Sequence, residues 1–191
     1  RKYGCEAYPL ARLIKSRLYE RTGETWTIFD KTLIKKVSED RKLSEKLLTD
    51  LDMDNSPLGF EEFLSFLFSA NWKPPCHRAY KQLTRYIIKI AQDGNAIIVG
   101  RGAEMLTQDL ANCFQFRLEA PLDFRIGSIA ERLDISQSEA RKIVEGNQLK
   151  REKFLMKFFN RDITDIGNYH VVFDNSRNPL NTMTNCILDI V

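Results

Sequence analysis

An arginine between two glycines, Gly100-Arg101-Gly102, follows directly on the apolar run Ala96-Ile97-Ile98-Val99. The run is short, β-branched and bounded by glycine, the pattern of a strand buried on both faces. Ligands of open parallel sheets bind just beyond the carboxyl ends of the strands. This spacing therefore puts a guanidinium at a ligand edge, beside residues that let backbone come close. Its planar fork suits a phosphate or a carboxylate. A second concentration of charge lies at 141–161, where Arg141, Lys142, Lys150, Arg151, Lys153, Lys157 and Arg161 face only Glu145 and Glu152. The plainer readings are a strand-to-helix turn for the first, and for the second a solvated helix face with Ile143, Phe154, Leu155, Phe158 and Phe159 inward.

The chain that must position these groups has 191 residues, enough for one domain with excursions. At 43% hydrophobic and 29% charged it has an ordinary globular composition. A net charge of +3 is too weak to imply a nucleic-acid partner. The aromatics near the basic run are also not spaced as stacking platforms, so nucleic acid is not expected. No run approaches a membrane span and none has the layout of a signal peptide, so no membrane association is expected. Cys5, Cys76, Cys113 and Cys186 form no C-x-x-C pair and read as reduced thiols of a cytoplasmic protein. Cys76-His77 is a poor zinc pattern, so no metal site of protein ligands alone is expected.

Pro9 to Arg21 reads as a helix: proline suits its first turn, Leu10, Leu13, Ile14 and Leu18 form a stripe, and Gly23 stops it. Trp26 to Phe29 is a short strand, and Asp30 caps a helix through Val37. Another helix runs from about Ser44 to Leu51. From Asp52 to Pro75 an inserted helix is expected, closed by a proline stop. Its phenylalanines pack against the body or a homodimer partner. A helix over Ala79–Gln92 leads into the strand at 96–99, and Cys113–Leu118 is a third strand. Pro121 opens a helix through Leu133, with Phe124, Ile126, Ile129 and Leu133 as its buried side. Ser136-Gln137-Ser138-Glu139 is a capping box for a helix reaching Phe159. Tyr169–Phe173 is a last strand and Asn181–Val191 a closing helix. Alternating strands and helices predict an α/β fold of three layers with a parallel sheet.

IIVGRG, then FRLEAPLDFRIGSIAERL, then Gln148-x-x-Arg151-x-x-Phe154-Leu155, then YHVVFDN resemble, in order and spacing, the cytidylate kinase-like family. These are P-loop proteins related to nucleoside monophosphate kinases. The likeness covers nearly the whole chain apart from Asp52–Pro75, and Arg1-Lys2-Tyr3-Gly4 is similar to the family's S-R-x-[YF]-G approach to the phosphate loop. It implies a three-layer α/β/α fold with a central parallel sheet and a helical lid. A single domain would cover 1–191, its first strand upstream of Arg1, with a helical acceptor-side region at 30–93 and a lid-like segment at 146–165. It also implies a cytoplasmic transferase that moves the γ-phosphoryl group of ATP, with Mg²⁺ bridging the phosphates, to a nucleoside monophosphate.

By the same resemblance, Asp30 holds the acceptor nucleotide. Arg101 contacts it as the arginine of a G-R-D segment whose aspartate is Gly102 here. Arg151 is the lid arginine that closes over the phosphates. Arg101 and Arg151 are thus the expected catalytic residues, and Asp30, Arg101, Lys150 and Arg161 the expected substrate contacts; Lys153 and Lys157 add charge to the lid. Arg125 matches an arginine of the helix after the A-P turn, and Asp174 and Asn175 are candidates for the nucleotide edge. Each also has an ordinary use: Asp30 as a helix cap, Arg125 as partner of a nearby acid, Asp174 and Asn175 as turn formers.

The phosphate loop departs from pattern. A Walker A motif, G-x-x-x-x-G-K-[ST], surrounds phosphates with backbone N–H groups and reaches them with lysine. The family typically shows G-S-G-G-R; here Gly4-Cys5-Glu6-Ala7-Tyr8-Pro9 stands at that position. One glycine survives, no lysine or Ser/Thr follows, Pro9 removes an N–H, and Glu6 places a carboxylate where a triphosphate would lie. The lid's D-x-x-R reads Gln148-Leu149-Lys150-Arg151. Two readings stay open: a phosphotransferase using ATP and Mg²⁺, or an inactive pseudo-kinase serving as a nucleotide-binding or protein-interaction module without cofactor. Whether the 4–9 loop forms an anion nest or is filled by its own side chains separates them.

Overall fold

The computed structural model describes residues 1–29, 77–100, 102–160, 162 and 164–191. Asp30, Arg101 and Arg161, the helices expected at 30–37 and 44–51, and the inserted helix at 52–75 lie outside the described residues. Helix α1 spans Ala7–Thr22 and buries Leu10, Ala11, Ile14 and Leu18, so the apolar stripe faces inward as its spacing predicts. Gly23 ends it in a left-handed conformation, its N–H bonded to Tyr19 O at 2.8 Å. Strand β1 (Thr27–Phe29) follows, then α2 (His77–Asp93) and β2 (Ala96–Ile98). β1 and β2 pair in parallel, Ile28 opposite Ile97.

After the single turn α3 (Ala103–Leu106), strand β3 (Phe116–Glu119) pairs in parallel with β4 (Val171–Asp174), Leu118 opposite Phe173. Between them lie α4 (Leu122–Leu133) and the long α5 (Gln137–Phe159); α6 (Leu180–Ile190) closes the chain. The capping box of α5 is complete, because the Ser136 hydroxyl accepts from Glu139 N–H and the Glu139 carboxylate accepts from Ser136 N–H. The class is therefore α/β with parallel strands, which the described residues arrange as two pairs.

One core joins the two pairs. Cys5, Leu10, Ile14 and Leu18 meet Leu118 and Phe173 from β3 and β4 and Met183 and Ile187 from α6, with Ile97 of β2 packed against the same cluster. Each fully buried Leu, Ile or Phe contributes about 1.5–3 kcal/mol, so this cluster holds the start of α1 firmly against β3. A second core packs Ile126, Ile129 and Ala130 of α4 on Ala140 and Val144 of α5, with Tyr3 leaning on it. A third sets Leu155 and Phe159, near the end of α5, on Met105 of α3.

Three expectations are corrected. The 96–99 run is half-buried rather than buried on both faces. The third strand begins at Phe116, not Cys113, and leaves Phe114 exposed. Leu133 is 48% exposed because α4 ends there, with Asp134 in the left-handed region; its buried side is Arg125, Ile126, Ile129 and Ala130.

Candidate functional site

The backbone first runs along β3, Lys2 N–H bonding to Leu118 O at 3.0 Å, then turns through Tyr3-Gly4-Cys5 into α1. Gly4 has φ +97°, and a Cβ there would lie 2.7 Å from Arg125 Cβ and 2.8 Å from Arg125 O. Both the dihedral and the close approach require glycine. Arg125, expected to meet an acid, is instead buried and donates from Nε to Ala120 O (3.1 Å) and from Nη1 to Tyr3 O (3.2 Å). It thus pins the turn from below.

Three N–H groups of the turn and its approach are bonded from within the chain. Tyr3 N–H donates to Gln148 Oε1 at 2.9 Å, and Cys5 N–H to Lys2 O at 3.4 Å. Glu6 N–H donates to Asn175 Oδ1 at 2.7 Å, while Asn175 Nδ2 donates back to Glu6 Oε2 at 3.0 Å. Glu6 is the residue that caps α1, yet its carboxylate makes no capping bond because it faces Asn175 instead. The Cys5 thiol is buried against Leu118 O, and burial pushes its pKa up, so it is a packed group rather than a nucleophile. Pro9 falls in the first turn of α1, where its missing N–H costs nothing.

Two guanidinium groups cover the turn. Arg1 lies over the Tyr8 ring at 4.5 Å, and Arg151 over the Tyr3 ring at 4.8 Å while donating to Arg1 O at 3.4 Å. Arg151 is thus brought to the loop, whereas Lys150 and Lys153 are exposed on α5. Beside them Glu119, at the carboxyl end of β3, pairs with Lys2 Nζ at 2.5 Å and with Arg117. Arg117 is 1% exposed and also donates to the Tyr169 hydroxyl at 3.0 Å. Burial alone would raise the Glu119 pKa, but hydrogen bonds from Lys2 and Arg117 outweigh it and hold the carboxyl below its ordinary range. Asp174 accepts from Ser176 N–H (2.9 Å) and Oγ (2.6 Å), which makes it a turn former.

Gln148 had been legible only as a departure from the lid pattern, and its bond to the loop spans 145 residues. Arg117 and Glu119 had not been singled out; their i, i+2 spacing on one strand, which places both side chains on one face, was the available signal. Gly102, where the G-R-D pattern would carry its aspartate, lies close under the end of α5. Its φ is +70°, and a Cβ would lie 2.6 Å from Phe159 Cε2, so the aromatic end of α5 takes up the space.

Parallel strand pairs flanked by helices, with a glycine turn entering α1 beside β3, define a domain of the α/β class. The chain belongs to the cytidylate kinase-like family, whose pattern matches residues 1–177. A cytidylate kinase of Pyrococcus horikoshii is 26% identical over 97 residues, 51% of this chain and 50% of that protein. Another from Methanocaldococcus jannaschii is 26% identical over 99 residues, 51% of this chain and 56% of that protein. The matched segment thus spans about half the length of these curated relatives. The crystal structure of an uncharacterized protein from Eubacterium ventriosum has a similar fold, with a TM-score of 0.61 at 17% identity, covering 94% of this chain and 89% of that one. Among the described residues no helix is long and apolar enough to cross a membrane.

An active member of this family implies ATP and Mg²⁺. The loop residues here do not fit a magnesium-bound triphosphate. Glu6 sets a carboxylate at the start of α1, Ala7 and Tyr8 stand where the G-S-G-G-R pattern carries its last glycine and its arginine, and Glu119 is engaged by two cations.

Proposed function

We propose that this domain is a catalytically silent relative of nucleoside monophosphate kinases, acting as a nucleotide-binding or protein-interaction module. The observation that carries this reading is the Glu6 carboxylate, pinned by Asn175 at the loop position where a triphosphate would lie. A like charge at that range repels phosphate by kilocalories even at an effective dielectric constant of about 20. On this reading the domain keeps the three-layer α/β/α arrangement around a central parallel sheet. The same reading assigns 30–93 to an acceptor-side region and 146–165 to a lid, and the protein to the cytoplasm. The test is titration of the full-length protein with Mg-ATP and, separately, CMP, beside an assay of ADP formation. Folded protein that forms no ADP supports the reading; ATP- and CMP-dependent turnover overturns it.

One observation favours the other reading, a working nucleoside monophosphate kinase: Arg151 is already at the loop. Arg101 and Arg151 would then be catalytic, with Asp30, Lys150 and Arg161 on the nucleotides. Under that reading Arg101→Ala costs about 2–4 kcal/mol of transition-state stabilisation through a lost charge-assisted contact. Turnover that Arg101→Ala leaves intact would remove Arg101 from the site.

A further inference from the structure

A phosphate loop works because its N–H groups wait for phosphate oxygens. Here the Glu6 N–H is met by an amide oxygen from a distant part of the chain, Asn175 just after β4, and the Tyr3 N–H on the approach to the loop by that of Gln148 on α5, across 169 and 145 residues. Both amides are held at their other end by a carboxylate. Gln148 Nε2 donates to Glu152 Oε1 at 2.9 Å, and Asn175 Nδ2 donates to Glu6 Oε2 at 3.0 Å. The residue type is decided by this double duty. A side chain that accepts from a loop N–H and donates to a carboxylate must carry both an acceptor and a donor, which the amides of Asn and Gln supply on two separate atoms without charge. Asp or Glu would meet the N–H but repel the carboxylate; Ala would leave both unpaired. Asn175 is also 4% exposed, so its orientation is set by the fold.

We propose that Asn175 is a specificity-determining residue of the loop, a built-in ligand that occupies the place of a phosphate oxygen and sets the loop against phosphoanions, with Gln148 bracing the approach to the loop at Tyr3. The proposal rests on the reading of residues 4–9 as a phosphate loop, but not on the absence of turnover. Asn175 acts twice, since it fills the Glu6 N–H and also holds the Glu6 carboxylate at the site. Gln148 acts once, and it ties α5 to the loop at the same point.

The test uses the full-length protein and inorganic tripolyphosphate as the probe, with amide hydrogen exchange read at Tyr3 and Glu6. Gln148→Ala is expected to speed exchange at Tyr3 and leave Glu6 protected; Asn175→Ala is expected to do the reverse. A merely loosened fold would speed both together with the amides of α1. Asn175→Ala is further expected to bind tripolyphosphate at least about tenfold more tightly than the parent, a difference of 1.4 kcal/mol. Asn175→Asp, which keeps the acceptor and adds charge, is expected to bind no better than the parent. Unchanged exchange at Tyr3 and Glu6, or tripolyphosphate affinity equal in Asn175→Ala and Asn175→Asp, overturns the proposal. Gln148→Ala, at a half-buried helix position, carries the exchange test alone if Asn175→Ala does not fold. Kinase turnover by the parent would overturn the functional reading and leave these exchange patterns as they are, so the two failures are distinguishable.

Discussion

Two glutamates stand at neighbouring points of the same edge and are held by opposite means. Glu119, ending β3, is gripped by the cations Lys2 and Arg117. Glu6, opening α1, is held by the neutral amide of Asn175. The first arrangement is a charge network with a fully buried guanidinium at its centre. It ties the N-terminal segment, β3 and the Tyr169 loop into one rigid support. The second leaves the Glu6 carboxylate held by a dipole rather than by a cation, so the pairing of opposite charges that braces Glu119 is not repeated at Glu6.

The largest break in this contrast comes from Arg117→Ala, which leaves Glu119 short of a buried partner and the Tyr169 hydroxyl without its donor. Its cost is about 3–5 kcal/mol of stability, read from urea unfolding; a loss below 1 kcal/mol would show that Lys2 alone suffices. Gly4→Ala comes next. Its strained dihedral and the contact with Arg125 backbone cost about 1–3 kcal/mol, and a neutral result in a thermal melt would mean the turn relaxes freely. Asn175→Ala breaks two hydrogen bonds at a buried position, about 2 kcal/mol in all, so the Glu6 side should prove weaker than the Glu119 side. Denaturant curves showing equal losses for Arg117→Ala and Asn175→Ala would erase the contrast.

Acid sharpens the comparison by the least amount. The Glu119 carboxyl is depressed in the folded state, so its contribution is full above its unfolded pKa and is lost as pH falls through the folded value. Stability measured against pH below about 4.3, the ordinary glutamate value, should therefore decline less steeply in Glu119→Gln than in the parent. Parallel slopes would mean that Glu119 has no part in the acid response.

Local signals carried well from sequence to fold. Ser136 and Glu139 announced a capping box that is present in both arms, Gly23 stopped α1, and Pro121 opened the helix before α5. Signals failed where burial depends on the neighbour rather than the residue. Ile97 and Ile98 are β-branched but half-buried, and Leu133 has the right period but sits past the last supported turn. The loop's position was legible through resemblance, and its departure from pattern through Glu6. What filled it was not, because Gln148 and Asn175 reach the loop from 145 and 169 residues away, and an amide in a turn or on a helix face shows nothing of its partner. Arg125 was noticed for its charge but works through backbone carbonyls, a use that no acid in the sequence could flag.

The close approach of Phe159 to Gly102 couples what the two positions can carry. A Cβ at 102 would meet the ring at 2.6 Å on a left-handed backbone, so any side chain there must turn the ring aside as it enters. A smaller residue at 159 therefore makes a substitution at 102 easier to bear, and the tolerance of one position is set by the size of the other.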